Sequence, residues 1–148
     1  MDTCCQTTIQ SEASIACPSC GKKGKNVPII TLKALLQPSA LEIIQPEVSY
    51  SFCTNPSCEV VYFSATQSFN KNMLKVPVYQ KDPGMGVPVC YCFGWTRERL
   101  IQAVQSGQRP LEHIHEQVQV NRCGCEVNNP QGSCCLGNVA VFLRTMSK

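Results

Sequence analysis

Cysteine is the feature that most limits what this chain can fold into. Twelve of the 148 residues are cysteines, and most of them come in close pairs. The residues after Met1 are polar and show no apolar signal segment, so we expect no secretion and a cytoplasmic location. Paired cysteines outside an oxidising compartment indicate metal thiolates rather than a disulfide framework.

Charge and hydropathy argue against two other classes of protein. The formal net charge is +3 and only 16% of the residues are charged, so no basic patch indicates nucleic-acid binding. The longest apolar runs, such as 60–63 and 139–143, are far shorter than the ~20 residues that a membrane-spanning helix needs. We therefore expect neither nucleic-acid binding nor membrane insertion.

The sequence predicts an α+β chain in three parts. Residues 1–16 are polar and lack periodicity, so they form an N-terminal arm. Residues 17–85 form a small, β-rich zinc-knuckle unit, and residues 86–148 form a helical unit that binds a 2Fe-2S cluster. The stretch from Lys81 to Pro88 holds two prolines and two glycines and is the predicted linker.

Local patterns predict the elements of each unit. In the first unit, β-branched and aromatic runs indicate strands at VPII (27–30), YSF (50–52), VVYF (60–63) and VPVY (76–79), with helical turns in TLKALL and PSALEII. In the second unit, caps and helical spacing indicate helices from Thr96 to Ser106, from Pro110 to about Val120, and over 136–143.

The first candidate site combines two cysteine pairs with zinc-knuckle spacing. CPSCG supplies Cys17 and Cys20, and CTNPSC supplies Cys53 and Cys58 around an Asn-Pro turn. Four thiolates close the coordination sphere of a tetrahedral zinc ion, which leaves a structural rather than a catalytic metal.

Two alternatives exist for the first pair of cysteines. A redox pair of the thioredoxin type needs a helix that starts at the second cysteine, and GKKGKNVP after Cys20 is not a helix start. The lysines in that segment fit either a nucleic-acid contact or a solvated turn.

The second candidate site begins at VCYCFGWTRERL. Cys90 and Cys92 come just before a helix capped by Thr96, and a helical hairpin returns the chain to NRCGCEVNNPQGSCC. The one-residue spacing of the first pair favours a 2Fe-2S cluster over a second zinc. Adjacent residues point in different directions, so spacing leaves the choice open between Cys134 and Cys135, and likewise between Cys123 and Cys125.

Four segments together, CPSCG, FCTNPSCEVVYF, VCYCFGWT and CEVNNPQGSCCLGNV, resemble the N-terminal module of CopZ-type copper chaperones, which are iron-sulfur metallochaperones. The helical part is also similar to the cluster-binding module of bacterioferritin-associated ferredoxins. The resemblance implies zinc on the first four cysteines and a 2Fe-2S cluster on four others, namely Cys90, Cys92, Cys125 and Cys135.

The resemblance also implies a function. We expect one-electron redox chemistry in the homeostasis of copper, mercury or another soft metal, and by analogy alone a Cu(II) reductase activity. No heavy-metal-associated domain follows residue 148, so the expected partners are a separate copper carrier or a metal-transporting pump.

The alternative function is structural rather than redox: a two-zinc module that recruits a protein or nucleic-acid partner. Four cysteines remain outside the two predicted ligand sets, Cys4, Cys5, Cys123 and Cys134. They either bind soft metal ions or have no metal-binding role.

Overall fold

The computed structural model describes residues 15–146, which contain both strands and helices. The prediction of an α+β chain is confirmed. The strands are β1 (Lys25–Val27), β2 (Tyr50–Phe52), β3 (Val60–Phe63), β4 (Ser68–Asn70), β5 (Pro88–Cys90) and β6 (Trp95–Thr96). The helices are α1 (Ile29–Leu35), α2 (Pro38–Leu41), α3 (Arg97–Gln105), α4 (Pro110–Gln119), α5 (Cys125–Asn128) and α6 (Leu136–Met146), with a 3-10 turn at Lys71–Met73.

The first half of the chain is built on a four-stranded antiparallel sheet in the order β1-β2-β3-β4. Every residue of β2 and β3 is buried, which suits their aromatic and β-branched composition. Val61 and Tyr62 of β3 join the larger core cluster with Leu32 of α1. Phe63 belongs instead to a smaller cluster that contains three of the cysteine side chains. Strand β3 therefore links the main core to the first candidate site.

Two of the predicted strands differ from the structure. The run at 76–79 is not a strand, because Val78 starts a turn in which its carbonyl accepts from the backbone N–H groups of Lys81 and Asp82. The run at 27–30 is a strand only as far as Val27, since Pro28 precedes the first residue of α1. Strands β4, β5 and β6 and the short helix α5 were not predicted.

The second half of the chain contains a β5–β6 hairpin and the helices α3, α4 and α6 around one buried cluster. The predicted cap of α3 is confirmed, since Thr96 Oγ1 accepts from the Arg99 backbone N–H at 3.1 Å. Pro110 occupies the first turn of α4 as predicted. Leu100, Ile114 and Val139 bring one buried residue from each of these helices into the cluster. Within residues 15–146, no helix is long and apolar enough to cross a membrane.

Residues 125–132 of the second half pack directly on the first half. Helix α5 lies against α1, where Thr31 Oγ1 donates to the Glu126 carbonyl. Tyr62 is fully buried in the sheet and its hydroxyl donates to the Pro130 carbonyl at 2.6 Å. Gly132 has φ +73 and no room for a side chain, because a Cβ there would lie 2.8 Å from Val27 and 2.9 Å from Pro28. The loop before Cys135 therefore rests on the sheet of the first half.

We expect Gly132→Ala to lower the free energy of unfolding by about 2–3 kcal/mol, because it combines a left-handed backbone with a steric clash. Gly137→Ala is the matched control, since its Cβ would meet nothing within 4 Å and alanine favours the helix there. Denaturant unfolding of both variants measures the difference. Equal stability of the two variants would contradict the tight packing of this loop.

Candidate metal centres

A tight turn positions the first pair of thiols. Gly21 N–H donates to the Cys17 carbonyl at 2.9 Å, and Cys17 N–H donates to the Lys22 carbonyl at 2.8 Å. Gly21 has φ +78, which glycine adopts without strain. Ala16 pairs with Lys23 just outside this turn, so the predicted arm overlaps the described structure at its last two residues.

The loop between β2 and β3 positions the second pair. Cys53 directly follows β2, and its backbone N–H donates to the Val61 carbonyl at 2.8 Å. Asn55 then folds the loop back, since its carbonyl accepts from Cys58 N–H and its side-chain oxygen accepts from Ser57 N–H. The predicted Asn-Pro turn therefore brings Cys58 next to Cys53.

The four thiols of the first set form a compact group. All four Sγ atoms lie within 4.8 Å of one another, with 3.8 Å between Cys17 and Cys58 and 3.7 Å between Cys20 and Cys53. A tetrahedral zinc ion with bonds of about 2.3 Å separates its sulfur ligands by about 3.8 Å. The donor set and the spacing therefore fit zinc, and we call this group the Cys4 site.

The thiols of the Cys4 site differ in their acidity. Burial raises the pKa of Cys53 to about 12. A hydrogen bond from the Lys22 backbone, followed by one from the Asn55 side chain, lowers the pKa of Cys20 to about 6. Because metal thiolates are deprotonated, zinc binding releases the protons of the less acidic members.

The second set of thiols lies around the β5–β6 hairpin. Cys90 ends β5, Cys92 follows in the hairpin loop, Cys125 is the first residue of α5, and Cys135 directly precedes α6. Cys90, Cys125 and Cys135 are almost fully buried, whereas Cys92 is half-buried. The structure therefore brings together the four residues that the resemblance implied. We call them the hairpin thiols.

The hairpin thiols are arranged as a row of contacts. Cys92 Sγ lies 3.6 Å from Cys125 Sγ. Cys135 shares hydrogen bonds with both Cys125 and Cys90. Within residues 15–146, the mutual separation of less than 4.8 Å that could enclose a single ion is found for the Cys4 site and not for the hairpin thiols.

Hydrogen bonds between the hairpin thiols shift their pKa values in opposite directions. The bond to Cys135 lowers the pKa of Cys90. The bond to Cys125 raises the pKa of Cys92, and bonds to Cys125 and Cys90 raise that of Cys135. Cys92 Sγ also accepts the Gly124 backbone N–H at 3.1 Å. Of these three thiols, Cys90 is therefore the one that loses its proton most readily.

Cys123 and Cys134 are both half-buried and pack against the core cluster of the second half. The carbonyl of Cys134 accepts from Gln131 Nε2 at 2.9 Å. Cys123 is disulfide-bonded. Metal binding by Cys134 stays a hypothesis, as does the choice of ligands in both sets. Cys4 and Cys5 lie outside the described residues.

Sequence reasoning missed two cations that hold the cysteine loops. Arg99 stacks on the Trp95 ring at 3.8 Å and donates to the Phe93 carbonyl, directly after Cys92. Lys81 donates to the carbonyls of Asn55 and Cys58. No sequence signal marked either residue. Arg99 binds carbonyls only five and six residues before it, whereas Lys81 binds carbonyls 26 and 23 residues before it.

Comparison with known proteins gives one consistent family. A family model of the CopZ type, described as a zinc binding domain, matches residues 14–75, which include the Cys4 site. The X-ray structure of the N-terminal domain of CopZ from Archaeoglobus fulgidus has a TM-score of 0.70 and 30% identity, covering 86% of this chain and 97% of that domain. This chain belongs to the CopZ N-terminal domain family. The predicted resemblance to CopZ-type chaperones is confirmed at that level, and it makes the Cys4 site part of a zinc-binding domain.

The comparison with a full-length CopZ protein is partial. The copper chaperone CopZ of Archaeoglobus fulgidus is 32% identical over 123 residues, which are 80% of this chain. The chain spans only 57% of the length of that relative. The similarity to this relative therefore covers only part of that protein, although it extends over more residues than the zinc binding domain at 14–75.

We expect Cys17→Ser to lose zinc and to lower the free energy of unfolding by at least about 3 kcal/mol, because the bound metal stabilises only the folded state. Ser19→Ala, which changes an exposed residue between Cys17 and Cys20, is the control and should keep both zinc and stability. Elemental analysis and denaturant unfolding measure the two effects. Retention of one zinc per chain by Cys17→Ser would contradict the four-thiolate assignment.

Proposed function

We propose that the chain is a metal-handling redox protein in which the Cys4 site holds a structural zinc and the hairpin thiols hold a 2Fe-2S cluster. The observation that carries this proposal is the contrast between the two thiol sets. The Cys4 site is compact enough for one ion, whereas the hairpin thiols form a row. We also propose that the zinc unit spans 17–85 and the helical cluster-binding unit spans 86–148.

The row of hairpin thiols suits a cluster with two irons. It contains two contacting pairs, Cys92 with Cys125 and Cys90 with Cys135. A 2Fe-2S cluster takes four protein thiolates, two for each iron. When bound, such a cluster supplies one-electron redox chemistry.

The surroundings of the hairpin thiols also suit a redox group. Cys90, Cys125 and Cys135 lie in the core cluster with Val89, Leu100 and Val139, where side chains exclude water. Cys92 and Phe93 are half-buried and the following Gly94 is exposed, so this edge of the hairpin is the side open to a redox partner. Burial together with N–H donors to sulfur is the usual means of setting a cluster's reduction potential.

The substrate class that we propose is a soft metal ion, and we favour copper among these ions. The full-length relative is named a copper chaperone, and thiolate ligands favour soft metal ions such as Cu(I). In this proposal one electron passes from the reduced protein to Cu(II), and the resulting Cu(I) leaves with a copper carrier or a metal-transporting pump in the cytoplasm.

The choice between adjacent cysteines tests the cluster site. After anaerobic reconstitution, Cys135→Ser should retain less than about a fifth of the iron and sulfide of the wild type, because one of the four ligands is lost. Cys134→Ser is the matched control and should retain nearly all of both. Iron, acid-labile sulfide and visible absorbance are measured in parallel. Equal losses in the two variants would contradict the assignment of Cys135.

The same three proteins test the copper step. After reduction and removal of excess reductant, the wild type and Cys134→Ser should each convert one Cu(II) to Cu(I) per chain, detected with a chelator specific for Cu(I), while the absorbance of the oxidised protein returns. Cys135→Ser should yield at most a small fraction of this Cu(I). A coloured wild type that leaves Cu(II) unreduced would contradict copper as the substrate and leave the cluster assignment standing.

A further inference from the structure

Lys81 is a buried cation in a segment whose composition predicted an exposed linker. Its exposed fraction is 6%, although lysine is almost never buried without a partner. Among the described residues, 15–146, the ion pairs join Lys71 to Glu59 and Arg109 to Glu112, so no carboxylate neutralises Lys81. The positive charge of Lys81 therefore needs another negative partner in the interior.

The Lys81 ammonium group lies against the loop that carries half of the Cys4 site. Its Nζ donates to the Asn55 carbonyl at 2.7 Å and to the Cys58 carbonyl at 3.1 Å. These carbonyls belong to the turn that brings Cys58 back beside Cys53. The two bonds satisfy donors of the ammonium group but leave its charge uncompensated.

The charge of a zinc-loaded Cys4 site is of the opposite sign. Four thiolates outweigh the two positive charges of zinc, so the loaded site is a buried anion. An opposite charge at close range in a poorly solvated region stabilises such an anion more strongly than one on the surface. The Lys81 ammonium group lies beside this site, because its Nζ donates to the backbone carbonyl of Cys58, one of the four ligands.

We propose that Lys81 is the positioning residue and counter-charge of the Cys4 site: its ammonium fixes the Asn55 turn and offsets the excess negative charge of the zinc tetrathiolate. This inference rests on zinc binding by the Cys4 site. Lys81 lies outside residues 14–75, the range matched as a zinc binding domain. The zinc site is thus completed by a residue beyond that range.

The second half of the chain holds Lys81 in place. The backbone of Lys81 closes a turn with the Val78 carbonyl at 3.0 Å. Arg97, which follows the β5–β6 hairpin, donates to the carbonyls of Tyr79 and Asp82 on either side of Lys81 and stacks over the Tyr79 ring. The counter-charge of the first site is therefore oriented from the hairpin that carries the second site.

Three variants of the full chain separate charge from hydrogen bonding. Lys81→Gln keeps N–H donors but removes the charge, and Lys81→Met removes both. Lys25→Met is the matched control, since it removes an exposed positive charge at the first residue of β1, near the first cysteine pair in the sequence. Zinc content is measured first, followed by the rate of zinc transfer to an excess of a chromophoric chelator without oxygen, with circular dichroism as the check on folding.

We expect Lys81→Gln to release zinc about tenfold faster than the wild type, because a charged donor contributes more than a neutral one. Lys81→Met should be at least as fast, and Lys25→Met should stay within about twofold of the wild type because the charge that it removes is screened by solvent. With free zinc in excess, iodoacetamide should also alkylate Lys81→Gln several-fold faster than the wild type, since bound thiolates without the counter-charge are more nucleophilic.

The outcomes distinguish the role of the Lys81 charge from zinc binding by the Cys4 site. If the zinc-loaded wild type and Lys81→Gln have the same rates of zinc release and alkylation, the role of the charge is overturned, and an equal increase of these rates in Lys25→Met would also overturn it. A wild type that binds no zinc would overturn the zinc site and this inference together. If Lys81→Met does not fold, the comparison of Lys81→Gln with Lys25→Met still decides.

Discussion

The four Sγ atoms of the Cys4 site come from two segments that are far apart in the sequence, and they lie within 4.8 Å of one another. The stability of the first half of the chain depends on this contact. The strands of its sheet are only three or four residues long, and α2 has four residues. Elements of that length bury little apolar area and form few hydrogen bonds. A metal that links the turn after Ala16 to the loop between β2 and β3 supplies stability that the small core lacks. The first half, in turn, provides the surface on which residues 125–132 of the second half pack.

The two thiol sets are connected through this sheet and through the segment that joins the two halves. Tyr62 of β3 belongs to the main core of the first half, and its hydroxyl donates to the Pro130 carbonyl in the loop before Cys135. Tyr91, between Cys90 and Cys92, donates to the Pro77 carbonyl and accepts from Tyr79 N–H. The loops that carry the hairpin thiols are therefore held by residues of the first half. We infer that loosening the Cys4 site also loosens the hairpin thiols.

The sequence predicted what depends on local chemistry. Thr96 capping α3 and Pro110 opening α4 are set by neighbouring residues, and both predictions are confirmed. Spacing also grouped the first four cysteines, whose Sγ atoms lie within 4.8 Å of one another in the structure. The prediction of a strand at 76–79 was wrong. These residues are β-branched and aromatic in part, but they pair with no neighbouring strand, and Val78 lies in a turn instead. Strand β4 was missed because SFN is too short to show alternation.

Contacts between distant segments could not be predicted from the sequence. Spacing alone could not choose between Cys134 and Cys135, because the choice depends on how α5 and α6 pack around the hairpin. Lys81 sits in a segment rich in proline and glycine, and nothing local indicates that its ammonium group is buried against Asn55 and Cys58. These features arise from tertiary packing, which overrides local composition.

The measurement that tests the central claim most directly is the metal and sulfide content of the wild-type chain purified without oxygen, together with its visible spectrum. The two thiol sets are proposed to hold different cofactors, so the account predicts about one zinc, two irons and two labile sulfides per chain, with the visible absorption of thiolate-bound iron. A colourless protein that holds two zinc ions after anaerobic cluster reconstitution would contradict it and indicate a structural two-zinc module.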